Sequence, residues 1–325
     1  MLKRKLLEVP VVYESKKRVV AVRKVSSFRK TVFDTRLFNN FLWTFMATPD
    51  LASMCATSSW LCAPTQLLIT TRKKWYAREL DRLPTERLGY VRTAWLGTIP
   101  RVFRDLTGLQ HLEFLFAFNE SVGVGVLPQS LQTLRFGIQF NRPIDLGVLP
   151  CNLQELTLKG NFHWPIKAGV LPASLQKLTL VGAFNHPIEG LLPAGLQTLE
   201  IGGDFNQPIL PGTLPAQLKV LTFRVPWGNT YNDEGEIDAE FDQSVGLGVL
   251  PLELQELTFG DLFNQPIEQG VLPASLRQLT FGKCFNQPVA VGVLPSKLQK
   301  LTFGHNFQHP LDGTVLPASL QHLNL

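Results

Sequence analysis

One short phrase of sequence recurs through the C-terminal two-thirds of this chain. The proline of a Leu-Pro pair returns nine times, in steps of 22, 22, 21, 22, 36, 22, 22 and 22 residues. These prolines are Pro128, Pro150, Pro172, Pro193, Pro215, Pro251, Pro273, Pro295 and Pro317. A phenylalanine keeps the same spacing from Phe118 to Phe307. A fixed period of this length indicates a solenoid, in which each repeat forms one coil that stacks on the next.

Each copy of the repeat predicts the same local structure, and residues 276–297 read LRQLTFGKCFNQPVAVGVLPSK. In Leu-x-x-Leu-x-Phe, apolar residues alternate with Thr or charged residues, which is typical of a short β-strand. The next Gly permits a turn, and Asn can bond turn amides and stack from coil to coil. We expect His163, Asp242 and Gln308 to interrupt a continuous Asn column. No stretch between strands has a helical apolar period, so the chain is predicted to be a mainly β repeat solenoid with a parallel strand ribbon.

The repeat also resembles a known family. Phe-Asn-x-Pro-(Ile/Val), Leu-Pro and Leu-x-x-Leu-x-Phe at a period of 22 residues are similar to the FNIP repeat, which belongs to the leucine-rich-repeat group. The resemblance covers roughly residues 109–325 and implies a leucine-rich-repeat-like fold that binds other proteins. The third position of the motif is Gln, His, Arg or Trp, where the family name has Ile.

The N-terminal third is organised differently. We divide it into a basic segment (1–30), a small α-helical region (31–70) and a basic connector or N-terminal cap (71–108). The solenoid then covers 109–325, with an insertion at about 224–240. Residues 37–54 have apolar side chains at helical spacing, with a break at Thr48-Pro49. These two short helices either cap the first coil or serve a binding function.

The same helical region resembles a degenerate F-box. That resemblance implies binding to a Skp-type adaptor of a cullin ubiquitin ligase through six apolar side chains, namely Phe41, Leu42, Phe45, Met46, Leu51 and Met54. The leading hypothesis is therefore an adaptor whose head engages ubiquitin-ligase machinery while the solenoid selects a target protein. The alternative is a structural or scaffolding repeat protein with no ubiquitin-ligase link.

The charge is distributed unevenly along the chain. Residues 1–110 hold 20 Lys and Arg against 8 Asp and Glu, whereas residues 111–325 hold 11 against 18. A basic head can attract nucleic acid, but a solvated basic face explains the same composition, and nucleic-acid binding is disfavoured.

Several functional classes are disfavoured by the sequence. We find no Ser/His/Asp or Cys/His set, and the histidine pair His305 and His309 falls in a turn of the repeat. The sequence thus predicts no enzyme, no cofactor and no metal site. The four cysteines lack CxxC spacing, which predicts reduced thiols and a cytoplasmic or nuclear protein. There is no signal-peptide-like start and no apolar stretch long enough to cross a membrane.

Partner binding is expected on the outward positions of the strand ribbon, which form two columns across the repeats. The residues predicted to give specificity are Glu155, Lys177, Glu200, Glu256 and Lys300. Trp227 lies in the insertion, which is either a contact loop or an inert surface loop. The last strand, in LQHLNL, predicts weak end-to-end self-association because an unpaired strand edge can pair with another chain.

Overall fold

The structure is a computed structural model that describes the backbone at 12–14 and 17–19, and residues 74–223 and 241–325. The chain divides into two compact units, Met1–Ala63 and Pro64–Leu325. In the first unit, β1 (Val12–Glu14) pairs in antiparallel fashion with β2 (Lys17–Val19). The predicted helical region at 31–70 and the insertion at 224–240 lie outside the described residues.

The second unit contains one sheet of 12 strands, which lie side by side in chain order. Every pair of neighbouring strands is parallel. The strands are β3 (Lys74–Tyr76), β4 (Thr93–Leu96), β5 (His111–Phe114), β6 (Thr133–Arg135), β7 (Glu155–Gly160), β8 (Lys177–Gly182), β9 (Thr198–Gly203), β10 (Val220–Thr222), β11 (Glu256–Thr258), β12 (Gln278–Thr280), β13 (Lys300–Thr302) and β14 (His322–Asn324). This confirms the predicted parallel β-solenoid of leucine-rich-repeat type.

Within residues 74–223 and 241–325, helix is scarce and occurs near the start. Two four-residue helices, α1 (Ala77–Leu80) and α2 (Thr85–Leu88), lie between β3 and β4. A 3₁₀ turn (Phe103–Asp105) follows β4. Residues 74–108, described above as a basic connector or cap, therefore also contribute two strands to the same sheet. The sheet begins upstream of the first recognisable repeat.

The strands pair in a constant register, with leucine opposite leucine in most coils, as at Leu156 and Leu178. The register is maintained across the 36-residue step of the repeat, because Val220 of β10 pairs directly with Glu256 of β11. Phe223 and Phe241, which flank the insertion, stack with ring centroids 4.0 Å apart. The residues on either side of the insertion therefore lie next to each other, and the strand ladder continues from β10 to β11.

The core is built from stacked phenylalanine rings. The Phe of the Phe-Asn turn forms one column, with centroids 6.1 Å apart between Phe140 and Phe162 and 6.2 Å apart between Phe162 and Phe184. Strand neighbours are only about 4.8 Å apart. The coils therefore fan out from the strand side towards the Phe-Asn turns, and the strand side is the closely spaced side.

The Asn column is more continuous than the sequence predicts. The backbone N–H of Asn141 donates to Oδ1 of Asn119 at 2.9 Å, and this contact recurs along the solenoid. The expectation that Asp242 interrupts the column is wrong. Its N–H donates to Asn206 Oδ1 at 3.1 Å, and its Oδ1 accepts the N–H of Asn264 at 2.8 Å. A carboxylate oxygen replaces the amide oxygen because the coil needs only an acceptor here.

The other two predicted interruptions have different outcomes. The N–H of Gln308 still donates to Asn286 Oδ1 at 3.0 Å, so the column extends to this residue. At His163 the pattern changes, because Asn141 Nδ2 lies 3.1 Å from the Nδ1 of the imidazole. The Oδ1 of Asn141 is buried there without a hydrogen-bond partner. Only this substitution disturbs the column as expected.

Candidate partner-binding surface

The outward side chains of the strands form the two predicted columns. The register sets Thr133, Glu155 and Lys177 opposite one another in the first column. In the second column, Arg135 is paired with Thr157. We call the surface formed by these two columns, from β4 to β14, the strand face. Alternation of inward and outward side chains explains this arrangement.

Three of the residues predicted to give specificity lie together on neighbouring strands. Lys177 Nζ is 2.6 Å from Glu200 Oε1, and the hydroxyl of Thr179 donates to Glu200 Oε2 at 2.9 Å. Glu155 forms a looser contact with Arg135, at 3.8 Å. Thr179, which belongs to the second column, is buried and holds the Glu200 carboxylate in place.

The remaining predicted residues are scattered. Glu256 lies two strands beyond Glu200 and accepts a hydrogen bond from Gln278 Nε2 at 3.2 Å. Lys300 lies two strands further along and is exposed. Trp227 and the six apolar residues predicted to bind a Skp-type adaptor lie outside the described residues. For all of these residues a binding role stays a prediction.

The strand face also carries a shallow cavity that the sequence analysis did not identify. It has a volume of about 310 Å³ and spans β4 to β7. Its lining consists of Thr93, Trp95, His111, Leu112, Glu113, Thr133, Arg135 and Glu155. The aromatic contribution continues towards β3, because the rings of Tyr76 and Trp95 meet edge to face with centroids 6.1 Å apart. Extending the two columns upstream of Thr133 would have located these residues.

Charge on the strand face alternates from coil to coil in its N-terminal half. Within the two columns, each strand from β5 to β9 contributes one formally charged Asp, Glu, Lys or Arg side chain, and successive signs are opposite. These side chains are Glu113, Arg135, Glu155, Lys177 and Glu200. Lys159, further along β7, lies outside the two columns. Further along, the second column is uniformly threonine from Thr222 to Thr302. Charged and aromatic side chains of the strand face are therefore most frequent between β4 and β9.

No group of three or more His, Cys, Asp or Glu side chains is placed to hold a metal ion in residues 74–223 and 241–325. Of the histidine pair considered above, His305 is exposed and His309 lies with its Nε2 3.0 Å from the backbone oxygen of Asn286. None of the helices in the described part of the chain is long and apolar enough to cross a membrane.

Among solved structures, the chain matches a circular leucine-rich-repeat protein. The crystal structure of CroV588, a circular leucine-rich-repeat protein, is 40% identical and matches with a TM-score of 0.64 over 72% of this chain and 33% of that protein. The chain thus spans about a third of the length of CroV588. An internalin (inlF) from Listeria monocytogenes is 15% identical, with a TM-score of 0.43 over 72% of each chain. A leucine-rich-repeat protein from Bacteroides ovatus is 12% identical, with a TM-score of 0.22 over 78% of this chain and 66% of that one.

No curated protein matches the sequence. A family match comes from the repeats themselves. The family described as FNIP Repeat matches at residues 140–181, 184–224, 241–284 and 285–325, which together make up just over half of the chain. These segments span the region of β7 to β14 with its Phe-Asn turns and Leu-Pro segments, whereas β3 to β6 lie before them. The chain is a leucine-rich-repeat-like solenoid and belongs to the FNIP repeat family.

Proposed function

We propose that this chain is a protein–protein interaction module that binds its partner on the strand face, centred on the cavity between β4 and β7. The observation that carries the proposal is this cavity, in which Trp95, His111 and Arg135 line one concave surface together with two carboxylates. Tryptophan and arginine are the residue types most often found at binding hot spots. Repeat solenoids offer extended concave surfaces of this kind to partners.

The electrostatics of the strand face favour a protein partner over nucleic acid. The charges between β5 and β9 alternate in sign, so the face has no continuous positive field along which a phosphate backbone could bind. Alternating charges instead give register and specificity, because a misaligned partner brings like charges together.

A charge reversal within one ion pair tests this proposal. Arg135→Glu combined with Glu155→Arg keeps an opposite-charge pair on the strand face while inverting its pattern. The control exchanges two exposed charges in the segments that precede the strands, through Glu253→Lys and Lys297→Glu.

The full chain and both variants are used for affinity capture from an extract of the source organism. We expect a protein partner that the wild type and the control retain and the reversed pair loses. Capture of the same partner by all three would refute binding through the strand face.

We further propose that the partner is recruited to a cullin-type ubiquitin ligase. Support comes from the F-box-like pattern at residues 31–70, in which Leu42 and Leu51 fall at the positions of adaptor contacts. The test is a pull-down of the full chain with a purified Skp-type adaptor, beside a Leu42→Asp, Leu51→Asp variant. Binding that this variant loses would support the ligase role. Absence of binding by the folded wild-type chain would favour the scaffold alternative.

A further inference from the structure

The variable residue of the Phe-Asn-x-Pro turn is glutamine in every coil of the C-terminal half of the solenoid except the last, which carries His309, and it is never glutamine in the N-terminal half. In four coils of the C-terminal half this residue is glutamine, at Gln207, Gln243, Gln265 and Gln287. In three consecutive coils of the N-terminal half it is Arg142, Trp164 and His186. Because the repeats share one backbone, the side chains at this position can be compared directly between coils.

In most coils this residue supplies a side-chain N–H to the preceding coil, whereas Glu120 in the first such turn has none to supply. Gln207, Gln243 and Gln287 each donate from Nε2 to the Asn of the preceding coil, at 2.8 Å, 3.0 Å and 3.0 Å. In the N-terminal coils the same contact is made by Arg142 Nε to the Asn119 carbonyl at 3.0 Å, and by Trp164 Nε1 to the carbonyl of Asn141 at 3.3 Å.

His186 makes the same kind of contact. Its Nε2 lies 2.7 Å from the carbonyl oxygen of His163, and since a carbonyl oxygen only accepts, Nε2 carries the proton. A glutamine could make each of these three hydrogen bonds. The charge of the guanidinium and the aromatic rings of the indole and the imidazole are therefore not needed by the turn.

The aromatic and charged groups of these side chains are at least partly exposed to solvent. Trp164 is 40% exposed, and its ring stacks on the exposed imidazole of His163 with centroids 5.9 Å apart and an angle of 18° between the planes. Arg142 is exposed and forms no ion pair with any residue of the described ranges, so its terminal NH₂ groups are available. We call Arg142, His163, Trp164 and His186 the edge patch.

We infer that the edge patch is a second protein-binding surface, distinct from the strand face. It would bind an extended peptide segment that places a carboxylate against Arg142 and an aromatic or proline ring on Trp164. The guanidinium fork matches a carboxylate, and an exposed indole offers a broad apolar surface for a ring. Exposed Glu120, Asp145 and Glu189 occupy the same turns, so the local field is not positive enough to favour nucleic acid.

The test replaces the three variable residues by the glutamine that other coils carry. Arg142→Gln, Trp164→Gln and His186→Gln together keep an N–H donor in each turn, and we expect thermal unfolding close to that of the wild type. Gln265→Ala with Gln287→Ala is the control, because it alters the same column away from the edge patch. A random peptide library displayed on phage is selected on the full wild-type chain, and enriched peptides are then synthesised and measured by fluorescence anisotropy.

We expect enriched peptides with Asp or Glu close to Trp, Tyr, Phe or Pro, and binding about tenfold or more weaker to the triple variant but unchanged for the control. Failure to enrich peptides, or equal binding to the triple variant, would overturn the inference. Labelled oligouridine is measured in parallel. If the oligonucleotide binds and the triple variant weakens it, while no peptide is enriched, the patch is a nucleic-acid site and the inference is also overturned. The outcome is independent of whether the strand face binds a partner.

Discussion

Three glycines of the solenoid separate two physical effects of adding a methyl group. Gly190 has φ of 65°, in the left-handed region, but a Cβ there would meet no atom within 4 Å. Gly282 lies outside that region, yet its Cβ would lie 2.1 Å from the carbonyl oxygen of Gly260 in the preceding coil. Gly182 combines both effects, with φ of 113° and a Cβ 2.3 Å from the carbonyl oxygen of Gly160.

The expected losses follow from these geometries. Gly190→Ala places a side chain in the left-handed region, which costs about 1–2 kcal/mol. Gly282→Ala forces two coils apart. Inserting atoms into a well-packed interior costs about 1–3 kcal/mol, and we expect a loss of stability of this size. Gly182→Ala carries both terms, about 2–5 kcal/mol when the two ranges are combined. The clashing atoms are backbone, so no side-chain rotation can relieve them.

Chemical denaturation of the three variants, followed by far-ultraviolet circular dichroism, measures these differences. We expect the free energy of unfolding to fall least for Gly190→Ala and most for Gly182→Ala, with an unchanged dependence on denaturant. Gly282→Ala with wild-type stability, or Gly182→Ala no worse than Gly190→Ala, would refute the claim that close coil-to-coil approach selects these glycines.

Asp242→Ala leaves the backbone N–H of Asn264 without its acceptor, so we expect the free energy of unfolding to fall by about 1–3 kcal/mol. Asp242→Asn keeps an acceptor and should be near neutral. Equal losses for the two variants in chemical denaturation would contradict this. A double-mutant cycle of Lys177→Met and Glu200→Gln should give coupling of at most about 1 kcal/mol, because both side chains are partly exposed. Hydrogen bonds from the Thr314 hydroxyl and backbone hold the pKa of Asp312 below its ordinary value. The Asp312 carboxylate should therefore stabilise this turn at pH values above the pKa of Asp312 in the unfolded chain, and this stabilisation should be lost as the pH falls through its pKa in the folded chain. We expect the loss to appear as faster hydrogen exchange of the Thr314 amide, relative to its intrinsic rate.

The sequence predicts the solenoid well because its repeats carry the register. Leu-x-x-Leu-x-Phe places the same side chains inward in each coil, so the columns that contain Glu155 and Lys177 follow from alignment of the copies alone. The upstream strands were not identified because they depart from the phrase. In β4, Ala94 takes the place of the usual leucine, and Trp95 stands where later repeats carry Thr.

The candidate sites needed three-dimensional information. The cavity beside Trp95 depends on strands that do not look like repeats, and burial of Thr179 against Glu200 depends on a side-chain contact across two coils. The sequence alone gives the wrong expectation for Asp242, because the turn requires an acceptor atom and not the asparagine side chain itself. The same reasoning explains why Gln and Trp164 are interchangeable as donors in the turn.

Carboxyl-directed footprinting of the chain, with and without the partner obtained by affinity capture, tests the central claim most directly. The strand face carries Glu113 and Glu155 in its cavity, whereas Glu253 is exposed outside that face. Binding on the strand face predicts that labelling of Glu113 and Glu155 falls in the complex while labelling of Glu253 is unchanged. If Glu113 and Glu155 are labelled as in the free chain while other carboxylates are protected, the partner binds elsewhere and the claim is contradicted.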